Sequence, residues 1–180
     1  IRRIFQEYAD GLAPRRIAGR LNTENIAGPR GGPWNASTIN GSRQRRNGIL
    51  NNELYLGRIT YNRQRYTKDP ETGKRRSRLN PEHEWIITEV PALRIIDEET
   101  WGRVRKIKAR YVSQPGNQRQ TKKRLLTGLV KCGRCGGSMT IVNRVRYYCS
   151  TKRERGTCTS TVGIKAIDLE NRILSGLKGI

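Results

Sequence analysis

The chain is poor in the residues a catalytic centre draws on. It holds one histidine, His83, one phenylalanine, one methionine and only 15 acidic residues among 180. Its eight serines (Ser37, Ser42, Ser77, Ser113, Ser138, Ser150, Ser160 and Ser175) have no histidine base or carboxylate constellation beside them that would mark a nucleophile. Paired carboxylates for two-metal phosphoryl transfer are absent, as is a phosphate-cradling glycine-rich loop. The chain therefore reads as a recogniser, with no catalytic residue expected in it. No apolar run reaches membrane length and no signal-peptide pattern is present, so a soluble, cytoplasmic protein is expected, with no membrane partner. The sequence starts inside one helical pattern, without Met, and stops inside another, which leads us to expect a piece of a longer protein.

What the chain has in excess is positive charge. Thirty-seven Lys and Arg against 15 Asp and Glu leave a net +22 and a pI near 10.9. Residues 1–90 carry 17 basic and 9 acidic groups, 91–130 carry 10 and 3, and 131–180 carry 10 and 3, so the excess runs the whole length. An extended polyanion is the natural partner, because each neutralised phosphate releases condensed counterions. A basic amphipathic helix that would favour an anionic membrane surface instead is missing.

Hydrophobic spacing divides the chain. Ile1, Ile4, Phe5 and Tyr8 recur at helical intervals before Gly11. A second short helix begins near Pro14, with Ile17, Ala18 and Leu21 as its stripe and Asn22 as its end. After the turn-rich GPRGGP, Asn35 or Ser37 can cap a third, polar and basic helical piece, and Trp34 can plug the core. Three short helices of this kind read as a helix-turn-helix-like unit. The period then changes: LYLGRITYN (54–62) and EWIITEVP (84–91) read as paired strands, with a charged loop between them. Asp97 caps a further helix, whose Trp101, Val104 and Tyr111 are expected to face the core. Residues 112–124 read as a basic linker. A final helix carries Ile167, Ile173, Leu174, Leu177 and Ile180, a face that either packs on the cysteine unit or begins a longer helix.

All four cysteines, Cys132, Cys135, Cys149 and Cys158, lie within 27 residues. C-x2-C with intervening glycines lets two sulfurs converge, and MTIVNRVRYY offers a hairpin that returns the second pair to the first. A thioredoxin-like redox pair would need a βαβ setting, and two disulfides run against a reducing compartment. The pattern points to one structural Zn2+ held by four thiolates, with no open position for chemistry.

These residues resemble a known family. The segments IRRIFQEYADGLAPRRIAGRLNTENIAGPRGGPWNASTI, GILNNELYLGRITYNR, WIITEVPALRIID, LLTGLVKCGRCGGSMTIVNRVRYYCS and IDLENRIL, in this order, are similar to the DNA-binding C-terminal region of large serine recombinases, the resolvase/invertase-type integrases of phages and mobile elements. The resemblance implies an α+β chain: a helix-turn-helix-like recombinase domain with a small β-hairpin at 1–111, a linker at 112–124, and a zinc-ribbon domain with the start of a coiled-coil helix at 125–180. It implies binding to one half of a recombination attachment site, double-stranded DNA, with cleavage residing in an N-terminal serine domain outside this sequence. Dimers on each site and tetramers in synapsis are expected of the full-length protein, associated with the bacterial nucleoid. In one departure, NGSRQRRNG (40–48) interrupts a place where many relatives run a continuous helix.

Mapped onto this sequence, the third helical piece should enter the major groove, with Ser37, Thr38 and Asn40 near base edges and Arg43, Arg45 and Arg46 on phosphate or guanine. Arg119, Lys122, Lys123 and Arg124 of the linker should follow the backbone or minor groove. Arg134, Arg144, Arg146, Lys152 and Arg153 form the expected second contact set, on the ribbon. A zinc-containing transcriptional regulator without recombinase activity, and a zinc-ribbon RNA-binding protein, are the competing readings.

Overall fold

A computed structural model describes residues 1–43, 45–112 and 124–178, which divide into two units, residues 1–11 with 40–111 and residues 12–39 with 112–180. Both helices and small antiparallel sheets are present, an α+β composition. Among the described residues no helix is long and apolar enough to cross a membrane.

The first unit begins with α1 (Arg2–Ala9), which buries Ile4, Phe5, Tyr8 and Ala9 along one side. Phe5 stacks on Trp101 at 5.7 Å between ring centres and meets Tyr55 edge-on at 6.0 Å. Leu50, Leu56, Ile96 and Val104 are also buried. Trp101 and Val104 belong to α4 (Glu98–Val112), whose start is fixed by Asp97. The amide of Thr100 donates to the Asp97 carboxylate at 2.6 Å and its hydroxyl at 3.0 Å, and these two bonds hold the carboxyl below its usual range. The Tyr111 side chain lies outside the described residues.

The two expected strands form and pair, shorter than expected. β1 (Arg58–Tyr61) runs antiparallel to the strand Ile86–Glu89, with Arg58 opposite Glu89 and Tyr61 opposite Ile86. The start is delayed because Glu53–Leu56 winds into a 3-10 turn, capped by the Asn52 side chain accepting from the Leu54 amide at 3.2 Å. The segment read as a charged loop is instead a second hairpin, β2 (Gln64–Lys68) against β3 (Arg75–Leu79), nested between β1 and the strand Ile86–Glu89, here β4. Nearly all its side chains are exposed, so no apolar alternation marks it in the sequence. Its turn is local chemistry: the Asp69 side chain accepts from the amides of Glu71 and Thr72 at 3.1 and 3.0 Å.

The interruption at 40–48 has a steric cause. A Cβ on Gly41 would lie 1.8 Å from the Asn47 carbonyl oxygen, and one on Gly48 would lie 2.4 Å from Gly41 Cα. Both residues have positive φ, so two backbones cross where only glycine fits. The helix therefore ends at Asn40 and the arginines that follow sit on a closed loop. Asn51, 2% exposed, locks it by donating to the carbonyls of Asn40 at 2.8 Å and Asn47 at 2.6 Å.

In the second unit α2 (Pro14–Thr23) buries Ile17, Ala18 and Leu21. Asn22 does not end the helix; its side chain accepts from the Trp34 amide at 2.7 Å and donates to the Trp34 carbonyl at 2.9 Å, holding the buried indole in place. Asn35 then caps α3 (Ala36–Asn40), accepting from the amide and hydroxyl of Ser37, both at 3.0 Å. The ribbon is a three-stranded sheet, β5 (Met139–Val142), β6 (Arg146–Cys149) and β7 (Ile164–Lys165), with β6 central. Asn143 and Arg144, at φ 51° and 59°, make the expected turn between β5 and β6. The short α5 (Ser150–Arg155) follows β6 and pairs its Glu154 with Arg15 of α2 at 2.7 Å.

The last helix, α6 (Ala166–Lys178), packs through Ala166, Leu169 and Glu170. The face read as either packing on the cysteine unit or beginning a longer helix, Ile167, Ile173, Leu174 and Leu177, is exposed, and Ile180 lies outside the described residues. The ribbon core is too narrow to cover it: it consists of Leu126, Met139, Tyr147, Ala166 and three cysteines.

Candidate zinc centre and nucleic-acid interface

The C-x2-C turn folds back on itself through two backbone bonds, Cys132 N–H to the Gly137 carbonyl and Gly136 N–H to the Cys132 carbonyl, both 2.8 Å. Any side chain at Gly137 would strike Thr151 and crowd Cys135 Sγ, so the knuckle requires glycine there. Cys149, at the end of β6, reaches Cys135 with 3.5 Å between sulfurs, and Cys158 reaches Cys132 with 3.9 Å. All four sulfurs lie within 4.8 Å of one another. A tetrahedron of thiolates at the usual Zn–S bond length has edges of about 3.8 Å, so the four donors fit the ion as they stand.

The protonation state is set by the same turns. The amides of Arg134 and Cys135 donate to Cys132 and bring its thiol down to about 6, and the Gly137 amide lowers Cys135. The Ser160 amide also favours the Cys158 thiolate, but desolvation and the three neighbouring sulfurs outweigh it and leave that thiol at about 11. Crowded thiolates of this kind need a cation among them. The centre is that of one structural zinc, which Cys132, Cys135, Cys149 and Cys158 would hold as thiolates and which would supply folding energy to the ribbon.

The residues expected to meet DNA fall into three groups. Ser37, Thr38, Asn40, Arg43 and Arg45 are exposed, as are Arg134, Arg144, Arg146 and Lys152 on the ribbon, while Arg153 is half-buried. Two expected contacts are already engaged within the protein. Arg46 donates to Glu82 at 2.8 Å and Glu53 at 3.4 Å and lies 4.4 Å over the Trp85 ring, so its guanidinium braces the loop against these groups. Arg124 donates to the buried Glu170 at 3.2 Å and to the Arg144 carbonyl at 3.1 Å, and it neutralises a carboxylate that burial would otherwise penalise. Arg119, Lys122 and Lys123 lie outside the described residues.

Sequence reasoning missed the residues around Arg43. Lys108 of α4 donates to the Asn40 carbonyl at 2.9 Å, and burial, together with Arg105 and Arg43, brings its ammonium down to about 8. No carboxylate pairs with any of the three among the described residues. Their spacing, Arg105 and Lys108 three apart on one helix, was the available signal.

A four-thiolate metal centre on a three-stranded antiparallel sheet defines a structural zinc ribbon, here following a strongly basic α+β unit. Compared with known families, residues 1–110 match Recombinase and residues 125–178 match the Recombinase zinc beta ribbon domain. The chain belongs to this recombinase family, one of site-specific recombination proteins. No solved structure matches it.

Proposed function

We propose that this chain is the attachment-site-binding region of a serine site-specific recombinase, with strand cleavage performed by a serine domain N-terminal to it. In this reading residues 1–111 are a DNA-binding module, 112–124 a basic linker, and 125–180 a second DNA-binding module stiffened by zinc. The observation that carries it is the cluster of Arg43, Arg105 and Lys108: three cations close together, one of them desolvated, with no carboxylate beside them among the described residues. Such a cluster costs stability in the free protein and is relieved by a phosphate. Arg45, Arg134, Arg144, Arg146, Lys152 and Arg153 extend the basic surface, and Ser37, Thr38 and Asn40 are the short polar groups offered to base edges. The zinc holds the ribbon's arginines in register and takes no part in the cutting. Oligomerisation on the site and residence on the bacterial nucleoid follow from the same reading.

Selection from a random-sequence duplex library tests it. The zinc-loaded chain should enrich one sequence and bind it more tightly than shuffled duplex at the same salt. Binding without enrichment, or a preference for structured RNA over duplex DNA, would refute it.

A further inference from the structure

The β2–β3 hairpin, absent from the sequence expectations, carries a second anomaly of charge. Arg65 and Arg78 are direct cross-strand partners, so both side chains leave the same face of the ribbon, with Thr67 two residues along. Like charges in that position repel and destabilise a two-stranded sheet. Together with Arg45 from the glycine-closed loop they line an open cleft of about 620 Å³, completed by Ser77 and Leu79.

Several neighbouring arginines have partners. Arg76 is held by Asp69, Arg75 lies 3.7 Å over the Tyr66 ring, Arg58 sits between Glu89 and Glu98, and Arg46 between Glu53 and Glu82. Among the described residues none of the guanidiniums of Arg45, Arg65 and Arg78 has a carboxylate, a carbonyl or a ring to meet. Three guanidiniums without a partner that converge on one cleft suit an anion from outside.

We infer that this cleft is a phosphodiester seat, through which the hairpin grips the backbone of duplex DNA separately from the contacts of the 40–48 loop's other residues. The inference rests on the DNA-binding reading above and extends it to residues outside the recognition segment. Guanidinium forks suit phosphate oxygens bidentately, and the Thr67 hydroxyl on the same face can add a neutral donor. Backbone contacts of this kind set register on the duplex and carry no base information.

The test compares the zinc-loaded full chain with two double variants of equal charge change: Arg65→Gln with Arg78→Gln, in the cleft, and Lys68→Gln with Arg75→Gln, a cross-strand pair on the opposite face. Affinity for a random-sequence duplex is measured against salt. The cleft variant should flatten the slope of log K against log salt by about 0.9 for each phosphate it no longer neutralises, and Arg65→Lys with Arg78→Lys should restore it. The opposite-face variant should leave the slope near wild type. Equal slopes in wild type and the cleft variant, or equal flattening in both Gln variants, would overturn the inference. Failure of the wild type to bind duplex at all would instead sink the proposed function. In that event a titration with inorganic phosphate, read at the arginine Nε–H resonances, shows whether the cleft is an anion seat of another kind, and the DNA assignment is overturned.

Discussion

Replacing Asn51 tests the link between the fold and the proposed DNA surface most directly. Its side-chain amide spends both protons on the carbonyls of Asn40 and Asn47, the two ends of the loop that carries Arg43 and Arg45, while its oxygen has no partner. Asn51→Ala removes both bonds. Asn40 keeps the Lys108 ammonium at 2.9 Å, so only the Asn47 carbonyl loses its side-chain donor. Two neutral bonds and one weakened buried acceptor sum to about 2–3 kcal/mol. In a unit of this size that lowers the melting temperature by about 8–20 °C. Asn51→Asp should be worse at neutral pH, because a carboxylate would face two carbonyl oxygens. Its folded-state pKa would be raised above the unfolded value, so its deficit relative to Asn51→Ala should grow as pH rises above about 4 and shrink below it. Circular dichroism melts over that range, with hydrogen exchange at the Arg46 and Asn47 amides, provide the readout. A melting shift of less than about 4 °C for Asn51→Ala, with exchange in the loop unchanged, would refute the assignment of Asn51 as the lock.

Chelation or Cys149→Ser should unfold the ribbon and leave α1 and the β1–β4 sheet intact, seen as loss of dispersion confined to the second unit in heteronuclear NMR. Zinc binding should release protons and weaken as pH falls, because the thiolates must form before the metal binds; a competition assay with a chromophoric chelator measures this. Lys108, held at about 8, binds fewer protons folded than unfolded between about pH 8 and its ordinary value of 10.5, so its burden on stability is full below pH 8 and lifts as pH rises through that window. A phosphate beside it reverses the shift. Duplex binding at about pH 8.5 should therefore take up a proton, visible as a buffer-dependent heat in calorimetry and absent in Lys108→Met. Asp97→Ala should lower the denaturant midpoint through loss of the α4 cap, with little effect on DNA affinity.

Several features were open to reading in the chain itself because their physics is local. The four cysteines with their glycines specify a zinc centre within 27 residues. The stripe of α1 and α2, the Asp97 cap and the turn at Asn143 all depend on neighbours a few positions away. Net charge is a sum and needs no coordinates.

Tertiary structure decided what depends on partners far along the chain. Arg46 and Arg43 are indistinguishable as letters in a basic run, yet Glu82, 36 residues away, takes the first and leaves the second exposed. Arg124 meets its carboxylate 46 residues on. The crossing of Gly41 and Gly48, the opposition of Arg65 and Arg78, and the choice of Ala166, Leu169 and Glu170 over the more apolar side of α6 are likewise matters of which surfaces meet. A local pattern specifies what a segment can do; which cations have a carboxylate partner is settled only by folding.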